Sequence, residues 1–473
     1  MIYVFILYLI LLFFLGLITL RFTKTLEDFV LGGRKLGSWI IALSEKATDF
    51  SAWLLIGLPG QAFKMGLGAI WAGIGCFIGS LFNWVIIATP LRKLSEKYNA
   101  LTLPDYFESR FNDKTRILRI TSFVLIIVFF TFYISAQILG SGKVIASAFG
   151  VPPVYGMLVG IGMITFYTML GGFFAVAITD FIQAILMLSA LLILPIMAIL
   201  NLGGFEKFIE NSKSIKEFTF SLSGGEAGIA MVLGVIIGGL AIGLGYPGQP
   251  HILARYMAIK SEKEIKKAAT IAMTWTFFAL TGAIFTGIAG IPILTGKIED
   301  PEHITSMLAK TLLNPYIAGI IIAGAISAIM STADSQLLVV TSSFIEDIYK
   351  KMINPEESQK RLVLYSRILT FVIGLIAFLL ALKAQNLVYW LVLYAWGGLA
   401  ASFGPSIILS ILWKRTTKWG IFAGMITGAV TIILWYNIPF LKNLIYELVP
   451  GFFFSFFAII IVSLLTKEEK NGM

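Results

Sequence analysis

Ala47-Thr48-Asp49-Phe50-Ser51-Ala52-Trp53, followed by Gly57-Leu58-Pro59-Gly60, places polar, Gly and Pro residues inside an apolar stretch of membrane length. An unbroken helix accommodates such a run poorly. Five hydrophobic segments later the pattern recurs as Gly243-Leu244-Gly245-Tyr246-Pro247-Gly248-Gln249-Pro250. Hydrocarbon cannot satisfy the amides and carbonyls that a broken helix frees, so a break persists only where it lines a cavity or holds a ligand. Paired Gly/Pro-interrupted spans in matching positions of two halves mark a binding site near the bilayer midplane, as in secondary carriers.

The rest of the chain agrees with a bilayer setting. Over 473 residues, 58% are hydrophobic and 13% charged, with a mean hydropathy of +0.89. That is an all-α integral membrane composition rather than a soluble one. Stretches of about 20 apolar residues give thirteen candidate spans, near 2–21, 38–58, 66–90, 117–147, 152–171, 179–201, 229–253, 268–292, 316–345, 363–382, 386–412, 419–436 and 444–466. The first has the length of a full span and no small-x-small cleavage site before Arg21, so it reads as a retained helix.

The net charge of +10 is a topology signal, not a nucleic-acid footprint. With the N-terminus outside, 26 of the 36 Lys and Arg fall in inner loops, Lys470 among them, and nine in outer loops. The positive-inside rule then predicts a multi-pass protein of the cytoplasmic membrane, N-terminus outside and C-terminus inside. No loop is long enough for a separate folded unit, so 1–473 reads as one transmembrane domain. Segments two to six (about 38–201) and seven to eleven (about 229–412) hold five spans each. Five is odd, so the second set enters from the opposite side as an inverted repeat. The stretches 2–21 and 419–466 lie outside the repeat. Gly420, Gly424 and Gly428 suit close helix packing, and the lone Cys76 excludes an intrachain disulfide.

At the first break the carbonyls of Ala47 and Phe50 are hard-oxygen ligands suited to a small cation. The ninth segment adds Ala328, Ser331 and Thr332, which share a helix face at i, i+3 and i+4. Hydroxyls in membrane helices also bond back to carbonyls one turn earlier, and that reading stays open for each of them. Asp49, Asp180 and Asp334 are intramembrane carboxylates and so functional candidates. Asp180 has a helix N-cap as its alternative, and Lys46 with Asp49, spaced i, i+3, forms a self-neutralising pair if that turn is helical. Trp53, Tyr133, Gln137 and Tyr246 lie near the breaks and offer stacking faces or hydrogen bonds to a solute. Gly140-Ser141-Gly142-Lys143 fails as a phosphate loop, since Gln137 and Val144 occupy its key positions. No zinc-protease helix or nucleophile elbow is present, and the chain reads as neither an enzyme nor an ATP-driven pump.

These residues carry a resemblance to the sodium/solute symporter family, and to its sodium/proline members. It runs through Leu31-Gly32-Gly33-Arg34, Asp49 to Gly60, Ala100-Leu101-Thr102-Leu103-Pro104-Asp105-Tyr106-Phe107, Gly171-Gly172-Phe173, Gly248-Gln249-Pro250-His251-Ile252-Leu253-Ala254-Arg255, Met330-Ser331-Thr332 and Tyr394-Ala395-Trp396. The resemblance implies a leucine-transporter-like five-plus-five fold, sodium as coupling ion, no other cofactor, and import of a small solute, with proline expected. It implies a main sodium site at Ala47, Phe50, Ala328, Ser331 and Thr332, and a second at Asp180, Asp334 and Ser335 together with Ser331. It implies proline contacts at Ser51, Trp53, Tyr133, Tyr246 and Pro250 and places the aspartate of sodium-coupled transport at Asp49; Ala52, Gln137 and Gln249 complete the expected substrate set. The chain differs from the familiar pattern in having Ala52 for glycine, Ile242 for tryptophan, Pro247 for an aromatic residue and Glu45-Lys46 for small residues. Another amino acid or a small carboxylate such as pantothenate is the alternative cargo. A solute-sensing module with a separate signalling partner is the alternative of another class.

Overall fold

The computed structural model describes residues 1–383 and 388–467. Almost all of them are helical, and the only strand-like pairing among them is a single bridge between Leu36 and Ile259. Eleven helical runs are long and apolar enough to cross a membrane, where the sequence suggests thirteen. The difference lies in Ser38–Lys97, with 60 residues, and Pro153–Asn201, with 49, against the 20 or so that one crossing needs. The first turns at Gly66 (φ 58°) and the second kinks at Gly172 (φ 53°), left-handed conformations that glycine adopts without steric cost. Lys470 and the first two residues of the stretch 386–412 lie outside the described residues.

Asp180 lies eight residues past the Gly172 kink, inside the continuing helix, so it is not an N-cap. Gly420, Gly424 and Gly428 pack as expected: a Cβ on them would meet Ser463, Ile459 and the Ala401 carbonyl respectively.

Both breaks are real and differ in kind. In the first, the helix Ser38–Ala52 contains Ser51 at φ 52°, ψ −168°, and continues as a wide π-turn over Trp53–Gly57 before Leu58–Met65 resumes the α-helix. The second unwinds over a longer stretch. A π-turn (Met231–Ile237) leads through Gly238–Ala241 into a tight 3₁₀ run, Ile242–Gly248. Gln249 is extended at φ −99°, ψ 103°, and Pro250–Ala258 restarts the helix with proline at its first position.

Small residues let this second break approach its neighbours. A Cβ on Gly79 or Gly243 would collide with backbone of the other segment. A Cβ on Gly245 would enter the indole of Trp396. Without a hydrophobic drive between helices in lipid, such close backbone contact is a main source of association.

Candidate functional site

The helix Pro315–Ser342 runs beside the first break, and its hydroxyls cross over to it. Ser331 Oγ donates to the Ala47 carbonyl at 2.8 Å and lies 3.3 Å from the Ala328 carbonyl. Thr332 Oγ1 reaches the Thr48 carbonyl at 2.9 Å and the Ala328 carbonyl at 3.2 Å. All these residues are fully buried. Ala47, Ala328, Ser331 and Thr332 therefore form one cluster of neutral oxygens, joined by Thr48, which sequence reasoning missed. Each hydroxyl has carbonyls of its own helix and of the partner segment within reach of its single O–H, so the expected back-bonding geometry is present together with a contact to the first break. The Phe50 carbonyl instead receives the Trp53 amide, and no described contact joins it to Ser331 or Thr332.

On the other side of the same turn sits a buried ion cluster. Lys46 Nζ lies 2.8 Å from Asp49 Oδ2, 3.2 Å from Glu45 Oε2 and 2.7 Å from Ser80 Oγ. Trp84 Nε1 and the Tyr256 hydroxyl donate to Glu45 at 3.2 and 3.3 Å. The i, i+3 pairing of Lys46 with Asp49 is thus present. Taking charges out of water is costly unless each finds hydrogen-bond partners, and here each does.

Beside Asp49 a cavity of about 270 Å³ opens, lined by Asp49, Phe50, Ser51, Trp53, Cys76, Tyr133, Ile242, Tyr246, Val392, Leu393 and Trp396. Five expected substrate residues line it: Asp49, Ser51, Trp53, Tyr133 and Tyr246. Three others stand behind the wall. Gln137 Oε1 accepts the Ala52 amide at 2.9 Å, bracing the first break, and Gln249 Nε2 donates to the Trp396 carbonyl at 3.1 Å. Pro250 faces a different cavity of about 410 Å³, shared with Arg255, Thr102 and Phe173. Sequence reasoning missed Cys76, Val392, Leu393 and Trp396 as cavity residues, although Trp396 belongs to the stretch Tyr394-Ala395-Trp396; its indole donates to the Ile242 carbonyl at 3.1 Å and packs edge-on to Tyr246.

One donor stands out in the cavity wall. Trp53 Nε1 is buried without a partner, while the Trp53 ring stacks on Tyr389 at 6.1 Å between centroids. The wall thus offers a carboxylate at one place and an unsatisfied N–H at another. A buried donor left unpaired costs about 1–3 kcal/mol, which a ligand acceptor would recover.

Asp180, Asp334 and Ser335 do come together, but around a cation of the protein's own. Arg255 Nη2 lies 3.0 Å from Asp180 Oδ2 and 2.5 Å from Ser335 Oγ, and Ser44 Oγ donates to Asp180 at 2.7 Å. Asp334 accepts from the Tyr167 hydroxyl at 2.6 Å and from Ser335 at 3.0 Å. Asp180 Oδ1 has no partner.

Near the end of the helix Ile117–Phe149, Lys143 Nζ pairs with Glu302 at 2.6 Å and Asp300 at 2.9 Å, both in the connection that follows Leu294. Glu302 also accepts the Val388 and Tyr389 amides at 3.1 and 2.8 Å. Burial pushes the Asp300 carboxyl up, yet hydrogen bonds from Lys143 and the Glu302 amide outweigh it and hold it below its ordinary value.

The model of the "Sodium:solute symporter family" matches residues 29–428. The chain belongs to this family. The symporter is 42% identical over 463 residues to the high-affinity proline transporter PutP of Bacillus subtilis, covering 97% of each chain. It is 42% identical over 475 residues to the sodium/proline symporter of Escherichia coli, covering 97% of this chain and 92% of the relative. Its relatives are named as transporters, and it is a multi-pass membrane transporter rather than an enzyme. Among solved structures, a Na+-coupled sialic acid symporter in a substrate-bound outward-open state superposes with a TM-score of 0.82 at 20% identity, covering 99% of this chain and 98% of that one. MhsT in complex with L-phenylalanine follows at 0.58 and 14%, covering 90% and 97%. These likenesses show the leucine-transporter-like fold that the resemblance implies.

Proposed function

We propose that the symporter imports proline together with sodium across the cytoplasmic membrane by alternating access. The observation that carries this reading is the near-full-length similarity to two proline transporters, joined to a cavity with a carboxylate, an unpaired indole N–H and aromatic walls between two helix breaks. Proline is a compact zwitterion. Its ring suits the faces of Trp53, Tyr133 and Tyr246, its carboxylate the Trp53 N–H, and its ammonium the Asp49 side of the cavity.

The neutral oxygens of Ala47, Thr48, Ala328, Ser331 and Thr332 would hold the sodium ion, with Phe50 contributing once the break rearranges. Asp180, Asp334 and Ser335 are the second candidate position. A cation bridging the first break and Pro315–Ser342 favours one arrangement of the two, so sodium and solute raise each other's affinity by the same coupling free energy. With the N-terminus outside, Lys143, Glu302 and the Tyr389 end face outward. The 410 Å³ cavity then lies on the exit side. In this reading 38–201 and 229–412 are oppositely oriented repeats, and dividing the two long runs at Gly66 and Gly172 gives thirteen crossings. An inward-negative potential favours cation entry by about 2.3 kcal/mol per charge per 100 mV across the full field.

Ile242 in the cavity wall, an aliphatic residue among rings, supports a second reading in which the cargo is another amino acid or a small carboxylate. Uptake of labelled proline, other amino acids and pantothenate into proteoliposomes, under imposed sodium or proton gradients, decides between them. Saturable proline uptake that needs the sodium gradient supports the first reading. Uptake driven equally by protons, or preference for another solute, rejects it.

A further inference from the structure

The two faces of one helical turn treat cations differently. On the side toward Pro315–Ser342, the carbonyls of Ala47 and Thr48 meet only neutral hydroxyls, an oxygen set without charge of its own. On the side toward Ile70–Phe82, Asp49 Oδ2, Glu45 Oε2 and Ser80 Oγ converge within 2.7–3.2 Å of a single point, and that point is Lys46 Nζ. Two carboxylate oxygens and a hydroxyl are the hard ligands an alkali ion takes. The ammonium has three N–H donors and three oxygen partners, and the rings of Phe50 and Tyr246 lie 5.1 and 5.6 Å from it. Lys46, Glu45 and Ser80 are wholly buried, and Asp49 reaches the solute cavity from this cluster.

We propose that the Lys46 ammonium is a built-in substitute for a mobile monovalent cation at Asp49, so that Lys46 sets how many sodium ions this symporter binds. The inference rests on the sodium-symport reading. Glu45 is also held by Trp84 and Tyr256, whereas Asp49 receives its shortest charged contact from Lys46. Lys46 is therefore a positioning residue: it keeps the Asp49 carboxylate neutralised and fixed at the cavity edge throughout the cycle. A mobile ion in its place would leave with the solute.

Binding of radiosodium to purified protein, counted per chain without solute, tests this. Lys46→Met leaves the oxygen cage with no cation, and it is expected to bind one sodium ion more than the parent. Two uncompensated buried carboxylates threaten the folding of that variant, so Glu45→Gln/Lys46→Met serves beside it, leaving Asp49 alone uncompensated in nearly unchanged volume. It too is expected to gain one ion, and its proline uptake should rise more steeply with sodium concentration. A parent that binds sodium, with variants that bind no more than it does, overturns the role of Lys46 alone. A parent that binds no sodium overturns the sodium-symport reading and this inference with it.

Discussion

The two helix breaks do comparable jobs with opposite chemistry. The first is abrupt, centred on a non-glycine residue in a left-handed conformation, Ser51, and surrounded by charge and hydroxyls. The second is gradual, carries no charged side chain between Met231 and Pro250, and is held by glycines against the backbone of Ile70–Phe82 and the indole of Trp396. Backbone freed at the first break is satisfied by side chains that also suit ions. At the second the Ile242 and Tyr246 carbonyls accept from the uncharged Trp396 indole and Asn83 amide, while close glycine packing shapes the cavity wall. Ion affinity should therefore be concentrated at the first break, and solute fit should depend on both.

The sharpest way to break that comparison is to strip the hydroxyls facing the first break. Ser331→Ala/Thr332→Ala removes two oxygens that bridge to Ala47 and Thr48. At about 1 kcal/mol or more for each lost interaction, the half-saturating sodium concentration should rise more than about tenfold, with the order of preference among solutes kept. Normal sodium dependence in uptake assays would move the ion elsewhere.

The converse change belongs to the second break. Gly245→Ala drives a methyl into Trp396, and overpacking of this kind costs about 1–3 kcal/mol. The expected result is a solute KM raised about tenfold, with the sodium requirement nearly unchanged. Equal shifts in both would show that the breaks do not divide the labour.

An effect of similar size is expected from Trp53→Phe, which keeps the ring over Tyr389 and removes only the unpaired N–H. If that N–H meets the solute carboxylate, a charge-assisted bond of about 1.5–3 kcal/mol is lost, and solute affinity should fall roughly tenfold or more in direct binding measurements. Unchanged affinity would take Trp53 Nε1 out of the contact.

What was legible in the sequence follows distance along the chain. Ser331 and Thr332 on one face with Ala328, and Lys46 beside Asp49, follow from helix geometry within a single turn. Both breaks were visible because Gly, Pro and charge are costly in an apolar helix. Arg255 beside Asp180 was not legible, since 75 residues separate partners on different helices and nothing local marks them as neighbours. Val392, Leu393 and Trp396 were missed for a related reason: in a helix apolar all round, periodicity does not say which face meets a cavity. Asp180 was open to misreading as a cap because Thr179-Asp180 resembles one, whereas the turn there is made by Gly172, eight residues earlier. Pro250 follows the second break so closely that only the packing assigns it to the other cavity.

The mildest test asks whether the first break can be made to resemble the second. Ser51 at φ 52°, ψ −168° occupies a region that is essentially glycine's own, a placement that costs a side-chain-bearing residue about 1–3 kcal/mol. Its hydroxyl returns part of that by sharing the Trp53 amide, at 3.1 Å, with the Phe50 carbonyl, a contact worth at most the net value of a full bond, about 0.5–1.5 kcal/mol. In Ser51→Gly the relief and the loss nearly cancel, so thermal stability in detergent should stay within a few degrees of the parent. Sodium dependence should also stay, because the Ala47 and Thr48 carbonyls do not rely on that hydroxyl. A loss of several kcal/mol would mean that the side chain, rather than the freed backbone, holds the first break open, and the contrast between the two breaks would then be one of degree only.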